Sequence, residues 1–568
     1  MLKKLFQFFS KNSFQKYLLI ILGTITWALT MARSGLCWND GCTGGLGFWG
    51  ANGHDGIWHI ALSESLSKGS FLMPIFSGQG IENYHIGFDL LLALFHKISF
   101  IPIPNLYFQV IPPVLAFLVG LLTYKFVLLW TRSEKASLWS TFFVYFGGSF
   151  GWLVSLIRGQ GWGGESMFWS MQSVSTLINP PFALSLVFLL AGLVLLLKLD
   201  EKFSRWIFLL CVLSFGILIE IKVYAGILAL GGLMVAGVYS LIIERKSLII
   251  KVFFTALIIS FVIYVPFNKL SGSLIAWQPF WFLESMVGAS DRFYAPKLAE
   301  AMLAYKSQPV IGKFVLAYGL TFVLFIVGNM GTRILFLLRK IRLNDKVEIL
   351  IYPIIAAGII IPTLFVQEGT PWNTIQFFYY SLFFTSILSG VVIGKWTKSS
   401  RLSAFIKTLV ILLTIPTTIF TLKDVYLTEK PPAVLPAAET EALNFISRQP
   451  DGVVLTYPFD EVKSKNAVSP SPLSEYVTTA YVSAFSGKQV FLEDEMNLDI
   501  MQYPWRERRS LVGNFLNTLD IDSAKTFLEE NNIKYVYWLK DQHARIGDKE
   551  LNMTLIFSNS DVTVFKVN

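Results

Sequence analysis

The sequence predicts a polytopic α-helical membrane protein with about 11 transmembrane helices and a C-terminal α/β domain outside the membrane. Of its 568 residues, 54% are hydrophobic and only 15% are charged, and the mean hydropathy is +0.55. A soluble domain carries about a quarter charged residues. Apolar runs of roughly 20 residues, the length needed to cross a bilayer, recur along the first three quarters of the chain. A soluble fold is therefore excluded.

The predicted spans follow one another from the N-terminus to about residue 422. The first has no convincing cleavage site after it and is interpreted as an uncleaved anchor rather than a signal peptide. The spans are 15–32, 105–130, 137–157, 181–198, 205–221, 222–243, 248–270, 309–332, 347–366, 375–394 and 404–422.

The segment Gly87–Phe100 is predicted to be interfacial or re-entrant rather than spanning. It has only 14 apolar-rich residues, carries Asp89, His96 and Lys97, and is followed by two prolines. With this segment excluded, the predicted cytoplasmic pieces hold 21 Lys and Arg in 66 residues, against 8 in 144 on the other side. This positive-inside bias places the N-terminus in the cytoplasm and the C-terminal domain outside a plasma membrane. The basic residues flank apolar spans, so the pI near 9.1 does not indicate nucleic-acid binding.

The predicted domains are 1–422 (membrane), with 33–104 as its first exterior loop, 423–436 (a Pro-rich linker) and 437–568 (an exterior α/β domain). The last domain alternates helix and strand patterns. The helices are AETEALNFISRQ and SAKTFLEENN, and the strands are GVVLTYPF, KQVFLED, IKYVYWLK and SDVTVFKVN. Its basic cluster WRERR, Trp505–Arg509, is predicted to be a solvated helix face, with a phosphate contact as the alternative.

Cysteines are few. Cys211 lies within an apolar run and is expected to be a small core residue. Cys37 and Cys42 flank a tight Gly-containing turn, WNDGC, and the sequence leaves a disulfide and two free thiols equally open.

Polar side chains that could carry chemistry concentrate in the first exterior loop. Four of the five histidines, His54, His59, His85 and His96, lie there. Asp55 and His59 are four residues apart in a segment that fits a short amphipathic helix lying on the membrane, so they would share a helix face. Such a pair could act as a general base with its orienting partner, or supply two ligands to a divalent cation. The alternative is an interfacial helix whose polar residues simply face water.

The first exterior loop resembles that of the GT-C superfamily of membrane glycosyltransferases. The resemblance rests on the first span, the acidic loop, the stretch KGSFLMPIFSGQG and the Tyr-containing re-entry NYHIGFDLLLAL, and covers roughly residues 15–200. It is similar to the bacterial aminoarabinose transferase-like and lipopolysaccharide-core transferase-like branches. The resemblance implies a polyprenyl-phosphate-linked sugar donor, a glycan, lipid or protein acceptor, and a site at the membrane surface.

The resemblance also implies roles for single residues. An acidic residue of the first exterior loop serves as base or metal ligand in the family, and the matching position here is Asp55, with Asp40 of the NDG turn as competitor. His54 and His85 would bind substrate. A departing polyprenyl phosphate needs positive charge nearby, for which Lys222, Arg292 and Lys297 are candidates. No DxD pair is present, so a divalent metal (Mg²⁺ or Mn²⁺) stays open, with Asp55 and His59, together with His54, as its candidate ligands.

The loop 158–180 is rich in Trp, Gly and amide side chains. Aromatic faces and amides suit carbohydrate, but Trp is also typical of the membrane boundary. The candidates are Trp162, Trp169, Gln172 and Asn179 for binding and Glu165 as a second acid; the Asn179-Pro-Pro corner also fits the start of a helix.

Other functions remain as alternatives. A transporter or flippase for a lipid-linked or glycan substrate would show internal repeats and broken helices in matching positions, which the sequence lacks. A polyprenyl-diphosphate polymer ligase would place its polar loop late in the chain. A non-catalytic membrane scaffold is the third alternative.

Overall fold

The computed structural model describes residues 11–268, 275–308, 310–342, 344–396 and 401–568. Parts of the predicted pieces 1–16, 271–308, 333–346 and 394–407, and the end of the predicted span 248–270, lie outside these residues. The chain forms two compact units. The membrane unit contains the described residues of Met1–Thr30, Pro112–Pro266 and Leu270–Leu427, and the composite unit contains Met31–Ile111 and Thr428–Asn568 with a short piece at Phe267.

The membrane unit is a helical bundle. Its helices are Lys11–Ala28, Ile111–Thr131, Glu134–Phe146, Gly151–Ile157, Pro180–Glu201, Arg205–Gly216, Leu218–Ile221, Val223–Ile242, Leu248–Tyr264, Trp281–Gly288, Pro296–Ser307, Ile311–Met330, Lys346–Leu364, Gln376–Lys395 and Arg401–Thr421. A two-stranded antiparallel sheet pairs Ile275–Trp277 with Phe365–Gln367.

Eight helices within the described residues are long and apolar enough to cross a membrane, or nine if the bent pair Glu134–Phe146 and Gly151–Ile157 is one span. The protein is thus a multi-pass membrane protein, with fewer full-length spans than the 11 predicted. The predicted span 205–221 is divided into a 12-residue helix and a short turn after Gly216. The first helix has an apolar part, Phe14–Ala28, that is shorter than a full span. Hydropathy detects apolar runs, but not the breaks that shorten them.

The segment predicted to be interfacial forms the helix Gly87–Ser99. At 1.5 Å per residue its 13 residues reach about 20 Å, too short for a bilayer core of about 30 Å. One face, including Phe88 and Asp89, is buried, while Leu94 and Ile98 on the other face are exposed. This amphipathic division is that of an interfacial helix.

The composite unit contains two four-stranded sheets. The first joins both parts of the chain in the order Leu36–Cys37, Leu46–Phe48, Ala433–Leu435, Ser471–Pro472, with only the last pair parallel. The second has the order Val453–Thr456, Ile533–Leu539, Val562–Val567, Met553–Ser558, with only the first pair parallel. The sequence had placed 33–104 with the membrane domain, whereas in the structure this loop packs with the C-terminal segment.

Helices surround these sheets. They are Asp55–Ser67, Gly87–Ser99, Ile103–Asn105, Ala437–Ser447, Glu461–Asn466, Leu473–Tyr476, Tyr481–Ser486, Glu495–Ile500, Trp505–Asn517 and Ile521–Glu530. The predicted strand KQVFLED is instead an extended segment with a single parallel bridge, Val490 to Val454. The strand Met553–Ser558 was not predicted. Its side chains do not alternate regularly between buried and exposed positions, and the hydrophobic Leu555 is exposed.

The helix Asp55–Ser67 differs from its predicted environment. It was expected to be amphipathic and to lie on the membrane, but it is buried on nearly all sides, from Gly56 to Ser63 and again from Ser65 to Ser67. The C-terminal segment covers the face that a surface helix would show to water. For example, the helix Tyr481–Ser486 packs against it.

The basic cluster Trp505–Arg509 also differs from its prediction. The side chain of Arg506 is 71% exposed, but Arg508 donates to the backbone oxygens of Phe491 (2.7 Å) and Ser77 (2.7 Å). Arg509 forms an ion pair with Glu495. Two of the three arginines therefore hold the composite unit together instead of facing solvent, a role that a basic run cannot reveal by itself.

Cys37 and Cys42 are joined by a disulfide, which closes the turn that contains Asp40. Cys211 is buried, as predicted.

Candidate functional site

The candidate site in the composite unit is built on the start of the helix Asp55–Ser67. Asp55 is its first residue, and its side chain is 43% exposed. An acidic residue in a first turn faces the positive end of the helix dipole, which stabilises its ionised form. Asp55 is thus a carboxylate that is both fixed in place and open to a substrate.

His54 connects Asp55 to the C-terminal segment. Its Nδ1 lies 2.9 Å from Oδ1 of Asp55, and its Nε2 lies 3.6 Å from Oδ1 of Asp494. Burial would lower the pKa of His54, but the negative charges of Asp494 and Asp55 and the hydrogen bond to Asp55 outweigh it and raise this pKa to about 10. The imidazole is therefore positively charged at neutral pH and sits between two carboxylates.

Asp494 is a residue that sequence reasoning missed. It is buried, has φ 49°, and caps the helix Glu495–Ile500 by accepting from the backbone N–H of Asn497 at 3.3 Å. Its second oxygen accepts a 2.7 Å hydrogen bond from the Asn497 amide. The only sequence signal was an acidic run, LEDE, which is usually a solvated surface.

His59 does not form the expected pair with Asp55 as its orienting partner. Its Nδ1 lies 2.8 Å from Oδ1 of Asp89, and Ser63 donates to the same oxygen at 3.3 Å. The imidazole is 2% exposed and stacks on Tyr107 with the ring centroids 5.7 Å apart. Because the ring is enclosed by aromatic side chains, its environment is that of a buried structural pair.

The remaining candidates of this unit lie apart from that pair. Asp40 is exposed in its turn between the two disulfide-bonded cysteines. His85 is partly buried and stacks on Tyr84 with the ring centroids 4.6 Å apart. Within the described part of the chain, no group of three or more His, Cys, Asp or Glu side chains is placed to hold a metal ion. Asp55 and His59 pair instead with His54 and Asp89, and a metal site at these residues stays a prediction.

In the membrane unit, Glu165 organises the loop 158–180. One oxygen accepts from the backbone N–H of Gln172 (2.8 Å) and the other from the hydroxyl of Ser175 (2.9 Å). Burial raises the pKa of Glu165 to about 7, although these hydrogen bonds oppose the shift. A carboxyl with a pKa near neutrality suits acid–base chemistry, but both of its oxygens are occupied in folding the loop.

The amide candidates of this loop make structural contacts. Gln172 is buried and accepts from the guanidinium of Arg333, which the sequence analysis had not singled out. Arg333 also donates to the backbone oxygen of Met330 at 3.0 Å. Asn179 caps the helix Pro180–Glu201 by accepting from Phe182 N–H at 3.0 Å, so the prediction that Asn-Pro-Pro starts a helix is confirmed.

The aromatic candidates have different environments. Trp162 is 42% exposed and stacks on Phe420, with 4.9 Å between the ring centroids. Trp169 lies under the guanidinium of Arg292, 4.2 Å from its ring centroid. An exposed indole such as that of Trp162 can still pack against a sugar.

The cationic candidates do not share one environment either. Lys222 is buried at the start of the helix Val223–Ile242, not directed outward as a snorkelling side chain would be. Arg292 is partly buried over Trp169, and its Nη1 lies 3.4 Å from the hydroxyl of Ser166. Lys297 is exposed on the helix Pro296–Ser307.

No protein-family model matches the sequence, and no curated protein matches it. Solved structures do match its fold. The crystal structure of the Archaeoglobus fulgidus oligosaccharyltransferase, tethered with an acceptor peptide containing the NVT sequon, is similar with a TM-score of 0.51 and 13% identity. The match covers 94% of this chain and 70% of that one.

The cryo-EM structure of the arabinofuranosyltransferase AftD from Mycobacteria is similar with a TM-score of 0.53 and 11% identity over 97% of this chain. The match covers 40% of AftD. At these identities the likeness concerns the fold. Both proteins are membrane glycosyltransferases of the GT-C superfamily. The chain therefore has the GT-C fold.

Proposed function

We propose that this protein is a membrane glycosyltransferase that moves a sugar from a polyprenyl-phosphate donor to an acceptor on the exterior face of the membrane. The observation that carries the proposal is the site at Asp55, an accessible carboxylate at a helix start beside a cationic imidazole, in a chain with the GT-C fold. The two similar structures are transferases by name, and one was captured with an acceptor peptide, which supports the same reaction class here.

In the proposed reaction Asp55 is the general base. Its carboxylate takes the proton of an acceptor hydroxyl as that oxygen attacks the anomeric carbon of the donor sugar. The bond from the anomeric carbon to the phosphate oxygen breaks, and the polyprenyl phosphate leaves with the electron pair. The imidazolium of His54 keeps Asp55 ionised before the proton is transferred and orients its carboxylate.

The donor must be amphipathic for this geometry. A polyprenyl tail dissolves in the bilayer while the sugar phosphate stays at the surface, where an interfacial helix such as Gly87–Ser99 would lie. Positive charge beside the departing phosphate would assist its release. Lys222, Arg292 and Lys297 stay predictions for this role, as do His85, Trp162 and Trp169 for sugar binding.

The orientation of the protein belongs to the same proposal. The positive-inside bias and the Cys37–Cys42 disulfide, which persists in oxidising compartments, both favour an exterior composite unit. A donor sugar would then be used outside the cytoplasm.

A transfer assay tests the function and the base together. The full chain is reconstituted in lipid vesicles with a panel of polyprenyl-phosphate sugars, and release of polyprenyl phosphate is followed by mass spectrometry, with and without a chelator. We expect Asp55→Asn to slow release about 100-fold or more, the usual contribution of a general base. Asp40→Asn is the matched control, because Asp40 is an exposed carboxylate of the same unit, and we expect it to change the rate less than twofold.

Each outcome of this assay decides one part of the proposal. Undiminished transfer by Asp55→Asn overturns the assignment of the base, and loss of transfer in Asp40→Asn instead moves that role to Asp40. If no donor of the panel is consumed while the protein is folded, the transporter or scaffold alternative is favoured. Activity abolished by the chelator would show that a metal takes part in the reaction.

A further inference from the structure

A cleft of about 760 Å³, counting the space open to solvent, lies in the C-terminal segment of the composite unit. Three parallel segments end at it. Two of them are the paired strands Val453–Thr456 and Ile533–Leu539. The third is the extended stretch at Val490, which forms a parallel bridge to Val454 of the first strand. The carboxyl ends of parallel strands are where α/β sheets usually bind ligands, because the chain turns away there and leaves a crevice.

Thr479 contributes a buried hydroxyl group to the residues that line this cleft. It lines the cleft and is only 4% exposed, and its hydroxyl has no hydrogen-bond partner within the described residues. A buried hydroxyl without a partner is unfavourable, so such groups are rare in folded proteins. A ligand that hydrogen-bonds to Thr479 would remove this cost.

The carboxylates of the cleft disfavour anionic ligands. Asp460 accepts from the backbone N–H of Val462 at 2.8 Å, and Glu493 accepts from the backbone N–H groups of Val482 and Ser483 at 2.6 and 3.0 Å. Both oxygens of Glu493 are therefore engaged within the protein. The oxygens of both carboxylates would still repel phosphate or another anion.

The other walls suit a neutral polyhydroxylated molecule. Tyr457 is 39% exposed and is the aromatic side chain of the cleft that a sugar can reach most readily, whereas Tyr537, another lining residue, is buried. An aromatic face packs against the C–H face of a sugar, while hydroxyl groups such as that of Thr479 pair with sugar hydroxyls.

Asp494 places this cleft next to the candidate base. It lines the cleft and also lies 3.6 Å from Nε2 of His54, whose Nδ1 pairs with Asp55. A sugar in the cleft is thus separated from Asp55 by the Asp494–His54 pair.

We propose that this cleft binds a sugar unit of the acceptor, with Thr479 as a hydrogen-bonding residue and Tyr457 as the stacking residue. The proposal rests on the proposed function, because only a transferase has an acceptor. Sugar binding itself can be measured without any donor. It makes the acceptor a glycan or glycolipid rather than a bare peptide or an unglycosylated lipid.

Binding is tested on the full chain in lipid nanodiscs without donor. The probes are methyl glycosides of glucose, galactose, mannose and N-acetylglucosamine and the corresponding disaccharides, observed by saturation-transfer NMR and titrated to saturation. We expect at least one to bind saturably, with an affinity about fivefold weaker in Thr479→Val and about tenfold weaker in Tyr457→Ala. Thr526→Val, which changes an exposed threonine of the helix Ile521–Glu530, should bind like the wild type.

Thr479→Val also separates a binding role from a structural one. The hydroxyl that it removes has no partner among the residues that the structure describes, so the variant should unfold at the same temperature as the wild type or at a higher one. A fall of several degrees would mean that the hydroxyl is satisfied internally and would overturn the proposal.

Three further results would overturn it. They are the absence of saturable binding of any glycoside, binding that neither cleft variant weakens, and tighter binding of spermidine or glucose 6-phosphate than of every neutral glycoside. If sugar binding depends on Thr479 but no donor is turned over, the sugar-binding proposal stands and the transferase proposal fails. If donor is turned over and Thr479→Val leaves the KM for the acceptor unchanged, the sugar-binding proposal fails and the transferase proposal stands.

Discussion

His59, which the sequence predicted to be catalytic, is paired with Asp89 in a buried environment, and we expect this pair to be structural. The atoms Nδ1 and Oδ1 lie 2.8 Å apart, both residues are buried, and aromatic rings surround the imidazole. Removing one member of a buried pair leaves the other without a partner and costs about 3–5 kcal/mol, whereas replacing both with apolar residues is often nearly neutral. The pair can therefore be tested as a unit.

A double-mutant cycle makes this test. We expect Asp89→Leu and His59→Phe each to lower the midpoint of thermal unfolding by about 5–10 °C, and the double variant to recover at least half of that loss. The measurement is intrinsic fluorescence of the full chain in detergent, with the transfer assay as second readout. A double variant that is stable but inactive would contradict the structural role and return His59 to the catalytic candidates.

At this scale the sequence predicted a cluster around Asp55 and His59, but not the partners of its side chains. The spacing of Asp55 and His59 predicted a shared face, but each side chain has a closer partner of its own, His54 and Asp89. The helix period shows which residues are neighbours on one helix. It cannot show a partner such as Asp494, which comes from a distant part of the chain.

Among the elements, the contact between the helices Gln376–Lys395 and Glu134–Phe146 is unusually close. A Cβ added at Gly390 would lie 2.2 Å from the backbone of Ser140, and one at Gly394 would lie 2.4 Å from that of Ala136. On both helices the residues at this contact are small and four positions apart, so the two backbones can approach closely. Within a membrane, burying apolar surface gives little driving force, and such close packing favours helix association.

This contact predicts different effects for two glycine substitutions. Gly390→Ala should destabilise the membrane unit by about 1–3 kcal/mol, because the backbone of Ser140 cannot move aside. Gly319→Ala is the matched control, since nothing lies within 4 Å of the added carbon in the middle of the helix Ile311–Met330. It should be neutral or stabilise the helix by up to about 1 kcal/mol. Thermal unfolding of both variants in the same detergent compares them, and equal midpoints would contradict the tight crossing.

Elements with a strong local pattern were predicted well. The helices Ala437–Ser447 and Ile521–Glu530 and the strands Val453–Thr456, Ile533–Leu539 and Val562–Val567 all lie where periodicity placed them. The exceptions have tertiary causes. The stretch at Val490 reads as a strand, but it meets its neighbour at a single bridge because the chain turns into the helix Glu495–Ile500.

At the scale of the whole molecule, the composite unit is assembled from two distant chain segments. The strand Ala433–Leu435 pairs with Leu46–Phe48, the ring of Trp49 donates to the backbone oxygen of Thr428 at 3.0 Å, and Asn83 donates to that of Met501 at 3.0 Å. Many such contacts should hold the C-terminal segment even when the covalent connection is cut.

Cleavage of the chain checks this assembly. A protease site inserted between the exposed residues Glu429 and Lys430 is cut in the purified full chain, and the fragments are passed over a size-exclusion column. We expect the fragment that begins at Lys430 to remain with the rest of the protein. Its elution as a separate folded domain would contradict a unit shared by the two segments, and uncut protein carried through the same column is the control.

The sequence by itself determined the membrane class, most spans, the short helix at Gly87–Ser99 and the α/β nature of the C-terminal segment. Hydropathy, charge bias and periodicity are local properties, so they can be read along the chain. Only the tertiary structure decided that the first loop and the C-terminal segment form one unit and that His54 lies between Asp55 and Asp494. It also placed the Thr479 cleft beside that pair. These features depend on contacts between residues far apart in the chain, which the folded path brings together.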